Sequence, residues 1–452
     1  MLHFRLKIGN IILFCVILLL SSCGTNKRIP TIPPVTLESQ ILESPVFSKI
    51  FTGFALFDPS LDSMLFSHQA DKYYTPASNT KLFTFYTTLK ILKDSIPLYR
   101  YHERPGITII QGMGNPMFMH PDFPADSNWI KQLINLPGDK YYSADNFLDE
   151  RLGPGWSWAD YAYGYQPEKS PFPIFGNMIR VEKDSARSNF MVSPKAFQAS
   201  FYYDPALDRF DYPAILREET ANRFAYNKKS RLAIDFSYDR PFYKAKDQFT
   251  KLLNNETNER FRRYTFAPVD SSLKFQEVWG VLPDTLLKKF MQESDNFIGE
   301  QLLLSCSAKL FDGQLSSEKV IAYAQDSLLA DLPDPIRWVD GSGLSRYNLF
   351  TPRSIIALLN KLYQDYPEEW LFEMLPNGGK SGTISSWYGG KESPYVFAKT
   401  GTLSNKHCLS GYVKTKSGKV LLFSFMHNNY LGSSTPLKRE MQQVLEWIWG
   451  NY

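Results

Sequence analysis

Cysteine is scarce in this chain: four in 452 residues. Cys15 and Cys23 lie in the first two dozen residues, so only Cys306 and Cys408 remain for the folded body. A disulfide framework of the small-secreted-domain kind is excluded. An oxidising compartment would permit one bridge between that pair, but the favoured reading is two free, buried thiols. Histidine is also sparse, with six residues and no His-Glu-x-x-His or comparable spacing, which disfavours a zinc peptidase and calls for no metal. Charge of one sign is lacking too: 50 Lys and Arg against 46 Asp and Glu leave a net +4. Without a basic block, nucleic acid is not an expected partner. No internal repeat of solenoid length is visible.

Long hydrophobic runs are limited to one, Ile11 to Leu20, preceded by Arg5 and Lys7. It is nearer the length of a signal-peptide core than the roughly 20 residues needed to span a bilayer. Ser21-Ser22-Cys23 at its end resembles a bacterial lipobox, which implies cleavage before Cys23 and a lipidated new N-terminus. An uncleaved membrane anchor is the alternative. Residues 1–22 are therefore read as a lipoprotein signal peptide and 23–40, with Pro30, Pro33 and Pro34, as a tether. The expected location is the periplasm, anchored by lipid to a membrane of the cell envelope.

What is present is a folded protein's composition, 43% hydrophobic and 15% aromatic, long enough for two or three compact units. Residues 51–57 and 63–68 flank Asp58-Pro59-Ser60-Leu61-Asp62, a hairpin signal. Leu82, Phe83, Tyr86, Leu89 and Leu92 predict one apolar face of a helix beginning near Ser78. From 100 to 285 aromatics, Gly-Pro breaks and short alternating runs such as Ile107–Ile110 and Asn177–Val181 read as a β-rich insert. Helical spacing returns in Phe297–Leu310 and Pro352–Tyr363, a second hairpin is predicted across 409–427, and a final helix follows with Thr435 as its cap. The expected organisation is a domain split between 41–99 and 286–452, with accessory domains over 100–285.

Ser78-Asn79-Thr80-Lys81 sets a hydroxyl and an amine on one helical face, at a helix start whose free N–H groups favour developing negative charge. Lysine serves as general base for serine when its pKa is depressed. The four-residue pattern alone is weak, since Ser271–Lys274 and Ser316–Lys319 also match. Its weight comes from Ser294-Asp295-Asn296 and the sole Lys399-Thr400-Gly401, in this order. That ordered set is carried by penicillin-binding proteins and serine β-lactamases. Ser294 can relay a proton, and Asn296 can hold the lysine and a peptide carbonyl. Lys399, with the hydroxyls of Thr400 and Thr402, can receive a terminal carboxylate, while Gly401 permits close approach of substrate. Asp295 is expected to turn outward.

With Tyr74–Ser78 leading into the nucleophile and Asp340-Gly341-Ser342-Gly343-Leu344-Ser345-Arg346-Tyr347-Asn348 downstream, the chain resembles the class C, type 4 penicillin-binding proteins. This is the D-Ala-D-Ala carboxypeptidase and endopeptidase family also called peptidase S13. Gly112–Pro116 resembles the family's glycine-rich stretch, with Asn115 where aspartate is usual, and Trp156, Trp158, Asp160 and Asn177 recur. The resemblance implies an α+β transpeptidase-like fold: an antiparallel sheet made from the first and last hairpins, a helical subdomain, and inserted domains between Ser78 and Ser294. It implies an oxyanion hole from the N–H groups of Ser78 and Thr402. It further implies attack by Ser78 between two D-alanines of peptidoglycan stem peptides, with Lys81 taking the proton, and capture by β-lactams. A serine β-lactamase, and a non-catalytic peptidoglycan-binding lipoprotein on the same fold, are the two rivals. The long insert and the 340–348 signature disfavour the first, the intact motif residues the second.

Overall fold

The computed structural model describes residues 35–124, 127–183, 190–207, 215–226, 236–244, 247–265, 268–270, 272–390 and 393–452. Cys23, the signal segment 1–22 and the tether up to Pro34 lie outside them, as does Ser271.

A five-stranded antiparallel sheet organises the half of the molecule that carries the three motifs, in the order Val396–Leu403, Lys406–Lys414, Val420–Asn428, Phe51–Asp58, Ser63–His68. The two predicted hairpins are joined in it by pairing Phe54 with Phe425. Alternation along the strands then makes two cores. Phe54, Leu56, Phe423 and Phe425 face the C-terminal helix Thr435–Asn451 through Leu437, Met441, Val444, Leu445 and Ile448. Ala55, Leu422 and Met426 face the opposite layer, which holds the helices Thr80–Leu92, Asn296–Leu310 and Pro352–Asp365. Thr435 is the first helical residue rather than the cap, and its N–H is taken by the Ser433 hydroxyl at 3.1 Å.

Thr80–Leu92 departs from the expectation of a single apolar face. Twelve of its thirteen residues are buried, Thr84, Thr87 and Thr88 included. The helix is enclosed on all sides, so its threonines are core residues and the stripe read from the leucines was only part of its buried surface. Cys306 and Cys408 are both free and buried in this layer, and burial pushes each thiol up to about 12.

The insert leaves the motif-bearing half directly from that helix. Its entry strand Ser95–Arg104 pairs antiparallel with its exit strand Gln276–Val281, closing the insertion at its neck. Beside them run Ile107–Gly112, Asp139–Ser143 and Phe261–Arg263, completing a second five-stranded sheet. Two three-stranded sheets follow, one built on Met178–Lys183 and the other on Phe224–Tyr226. The helices Ser127–Ile134 and Gln248–Thr257 lie among the strands. Phe118, Trp129, Tyr142, Phe172 and Phe249 form an aromatic core of the insert's own.

Candidate active site

Pro76 ends the extended lead-in, and a tight turn over Ala77–Asn79 runs into the helix Thr80–Leu92. Asn79 does not cap that helix. Its amide reaches across to donate to the Lys399 carbonyl at 2.7 Å and accepts from the Ser410 hydroxyl at 2.8 Å. The turn is thereby tied to the strand Val396–Leu403. Gly401 makes the approach possible, because a Cβ there would sit 2.4 Å from the Pro76 carbonyl oxygen and 3.0 Å from the Ser78 nitrogen. On the other side Gly343, at φ +84°, backs onto the Ala77 carbonyl, which a Cβ would approach to 2.0 Å. Ala77 itself is held at φ 49°, a left-handed conformation costing on the order of 1–3 kcal/mol, sustained by these contacts.

Lys81, fully buried, donates to three acceptors: Ser78 Oγ at 3.0 Å, Asn296 Oδ1 at 2.5 Å and the Ser342 carbonyl at 2.6 Å. Burial lowers its pKa to about 8, against the opposing pull of Asp340, Asp295 and Glu300. Loss of one proton leaves two N–H groups, enough for Asn296 and Ser342, and a lone pair that can face Ser78 Oγ. That is the geometry of a general base for the serine.

Ser294 adopts φ 62° just before the helix Asn296–Leu310 and accepts from Lys399 Nζ at 2.8 Å. Lys399 is also fully buried and donates to the Thr400 carbonyl at 3.1 Å; burial first, and Lys81 second, push its ammonium well below the usual range. Asp295, next in the chain after Ser294, is not simply turned outward: half-buried, it caps the helix by accepting from the Ile298 N–H at 2.9 Å. Thr400 shares a hydroxyl contact with Thr383 at 2.7 Å, and Thr402 with His407 Nδ1 at 2.9 Å. The Ala398 N–H points off the sheet edge to the Pro376 carbonyl at 3.0 Å. By the two-residue alternation of a strand, those of Thr400 and Thr402 point off the same edge.

The structure thus brings Ser78, Lys81, Ser294, Asn296, Lys399, Thr400, Gly401 and Thr402 together. The competing match at 316–319 is a helix cap, with Ser316 Oγ accepting from the Lys319 N–H at 3.3 Å and Lys319 Nζ donating to Gln314 at 2.7 Å. Motif reading missed the contributors that act through backbone or from far along the chain. The Tyr165 carbonyl accepts from Asn296 Nδ2 at 2.8 Å, the Ser342 carbonyl orients Lys81, and Thr383 joins Thr400. A backbone carbonyl leaves no residue-type signal, and nothing around Thr383 marks it in the sequence.

The role of the 340–348 stretch is now visible. Asp340, fully buried, accepts from Trp156 Nε1 at 2.9 Å, Gly343 N at 3.0 Å, Ser345 N at 2.7 Å and Asn348 Nδ2 at 2.7 Å. It folds the segment into a tight turn that presents the Ser342 carbonyl to Lys81. Among the described residues no three His, Cys, Asp or Glu side chains gather as a metal site would require.

The sequence matches the D-Ala-D-Ala carboxypeptidase 3 (S13) family over residues 36–201 and 282–448. It is 34% identical over 158 residues to a D-alanyl-D-alanine carboxypeptidase DacB of Haemophilus influenzae, a stretch covering 33% of this chain and 32% of that one. The chain thus aligns with only about a third of that relative's length. To a D-alanyl-D-alanine carboxypeptidase of Actinomadura it is 25% identical over 440 residues, 87% of this chain and 80% of the other. The crystal structure of penicillin binding protein 4 from Haemophilus influenzae superposes with a TM-score of 0.72 at 18% identity, covering 92% of this chain and 99% of that one. That likeness shows the α+β fold of a penicillin-binding protein with added β domains. With both flanks of the insert matched in sequence, the chain belongs to the D-Ala-D-Ala carboxypeptidase 3 (S13) family.

Proposed function

We propose that this chain is a serine D,D-peptidase that cleaves D-Ala-D-Ala carboxypeptide ends or cross-links of peptidoglycan through a Ser78 acyl-enzyme. One observation carries the reading: a buried, pKa-lowered Lys81 amine stands 3.0 Å from Ser78 Oγ and is held there by two further acceptors. Lys81 takes the hydroxyl proton as Ser78 attacks the carbonyl between the two alanines, and the N–H groups of Ser78 and Thr402 receive the oxyanion. The proton passes to the leaving amine by way of Ser294. Lys399 and the Thr400 and Thr402 hydroxyls take the terminal carboxylate. Water then releases the shortened peptide. A β-lactam enters the same first step and remains on the serine. The export signal and the lipobox ending at Cys23 support attachment to a cell-envelope membrane on its periplasmic side.

The test is intact mass after incubation of residues 24–452 with a fluorescent penicillin. One adduct per chain, together with hydrolysis of a D-Ala-D-Ala peptide, supports the reading. A folded protein with neither adduct nor peptide hydrolysis would leave a peptidoglycan-binding module in its place.

A further inference from the structure

One turn beyond Asn296 on the same helix, and so on the same face, stands a carboxyl group that the reaction above does not use. Glu300 is buried to 1% exposure. Its Oε1 accepts from the Ser342 N–H at 2.8 Å, while Oε2 is buried with no hydrogen-bonding partner. Ser342 is the residue whose carbonyl holds Lys81 at 2.6 Å. The helix reaches this segment because Gly299 and Gly341 pack backbone to backbone, a Cβ on Gly341 coming within 2.5 Å of the Gly299 carbonyl oxygen. From the other side Thr84 Oγ1 donates to the Gly341 carbonyl at 2.8 Å. Residues 341–342 are therefore clamped between the helix that carries Asn296 and the one that carries Lys81.

We infer that Glu300 is a positioning residue for acylation: it fixes Ser342 so that the Ser342 carbonyl aims the Lys81 amine at Ser78. The inference rests on the acyl-enzyme reading above.

The charged groups that act on Glu300 are Asp340 on the turn and Lys169 of the insert, itself paired with Asp149 at 2.6 Å, and Glu300 acts in turn on Lys81 of the nucleophile helix. Burial, and next the neighbouring Asp340, raise the Glu300 carboxyl to about 7. With the carboxyl at about 7 and Lys81 at about 8, Glu300 is mostly ionised where Lys81 loses its proton; either form accepts from Ser342, and the ionised one holds Lys81 towards the ammonium, the wrong form for a base.

Saturation kinetics of penicillin acylation on the chain 24–452 separate initial binding from the acylation rate. Glu300→Ala is expected to lower the rate constant by roughly 10-fold or more with the binding constant changed less than about 2-fold. Glu300→Gln keeps a carbonyl acceptor and should acylate within about 3-fold of the parent, with its rising pH limb displaced to lower pH by about half a unit or more. Parent-like acylation by Glu300→Ala, a loss confined to binding, or a Gln variant as slow as the Ala variant would each overturn the inference. Should Glu300→Ala fail to fold, an unmoved limb in Glu300→Gln overturns it and a displaced one upholds it. A parent protein that forms no adduct would remove the acyl-enzyme reading itself, a result that no comparison of variants can mimic.

Discussion

The catalytic half and the insert meet at the same cleft but contribute in different currencies of chemistry. The catalytic half supplies side chains: Ser78, Lys81, Asn296 and Lys399 act through hydroxyl, amine and amide groups within 3.0 Å of one another's partners. The insert's contributions are mostly supporting contacts. The Tyr165 carbonyl steadies Asn296, the Trp156 indole steadies Asp340, and Gln301 on the catalytic side ties itself to the Gly114 and Ser170 carbonyls at 2.9 and 2.8 Å. The difference teaches that one half holds the reacting groups while the other limits their freedom.

The sharpest way to break that division is Ser78→Ala. It should abolish penicillin labelling, a loss of at least ~1000-fold, with the thermal midpoint nearly unchanged; labelling that persists would transfer the nucleophile elsewhere. Asn296→Ala removes both an acceptor for Lys81 and the link to Tyr165, and is expected to slow acylation on the order of 100-fold. A rate within about 2-fold of the parent would put the lysine's orientation wholly on Ser342. Acylation should also rise with pH. Lys81 acts as a base only when neutral, and with burial holding its pKa at about 8 the neutral fraction grows as pH climbs through that value. The rate at pH 7 should be roughly a tenth of the alkaline plateau, and a flat profile from pH 6 to 9 would count against the amine as base.

Gln301→Ala tests the insert's side of the comparison. It strands three buried backbone groups, the Gly114 and Ser170 carbonyls and the Ser170 N–H, and should cost about 2–4 kcal/mol in denaturant unfolding while changing acylation by less than about 3-fold. Last and smallest, Lys319→Ala in the unproductive 316–319 match should leave labelling intact and shift stability by no more than ~0.5 kcal/mol.

The hairpins, the principal helices and all eight motif positions were legible because each is written in local spacing or in a residue type whose chemistry is specific. Asn79 stood inside the first motif yet gave no sign that its side chain would bind Lys399 and Ser410 rather than cap a helix, since that choice depends on a strand more than 300 positions away. The aromatics at 118, 129, 142, 172 and 249 announced a buried core without saying which strands enclose it. Helices within the insert were missed because Ser127–Ile134 and Gln248–Thr257 are short and polar on one side, and packing rather than propensity sustains them.

The pairing of Phe54 with Phe425 sets a constraint on how the molecule is made. Its first hairpin is synthesised long before the strand it must lie against, and bringing two such distant segments together carries a loop-closure penalty that no local contact offsets. The insert, zipped at its neck by Ser95–Val281 pairing, can shorten that search by gathering the intervening chain into a compact body. Sheet completion then becomes the late, committing event of folding, and a chain cut short before Val420 would be left with the edge of Phe51–Asp58 open to other molecules.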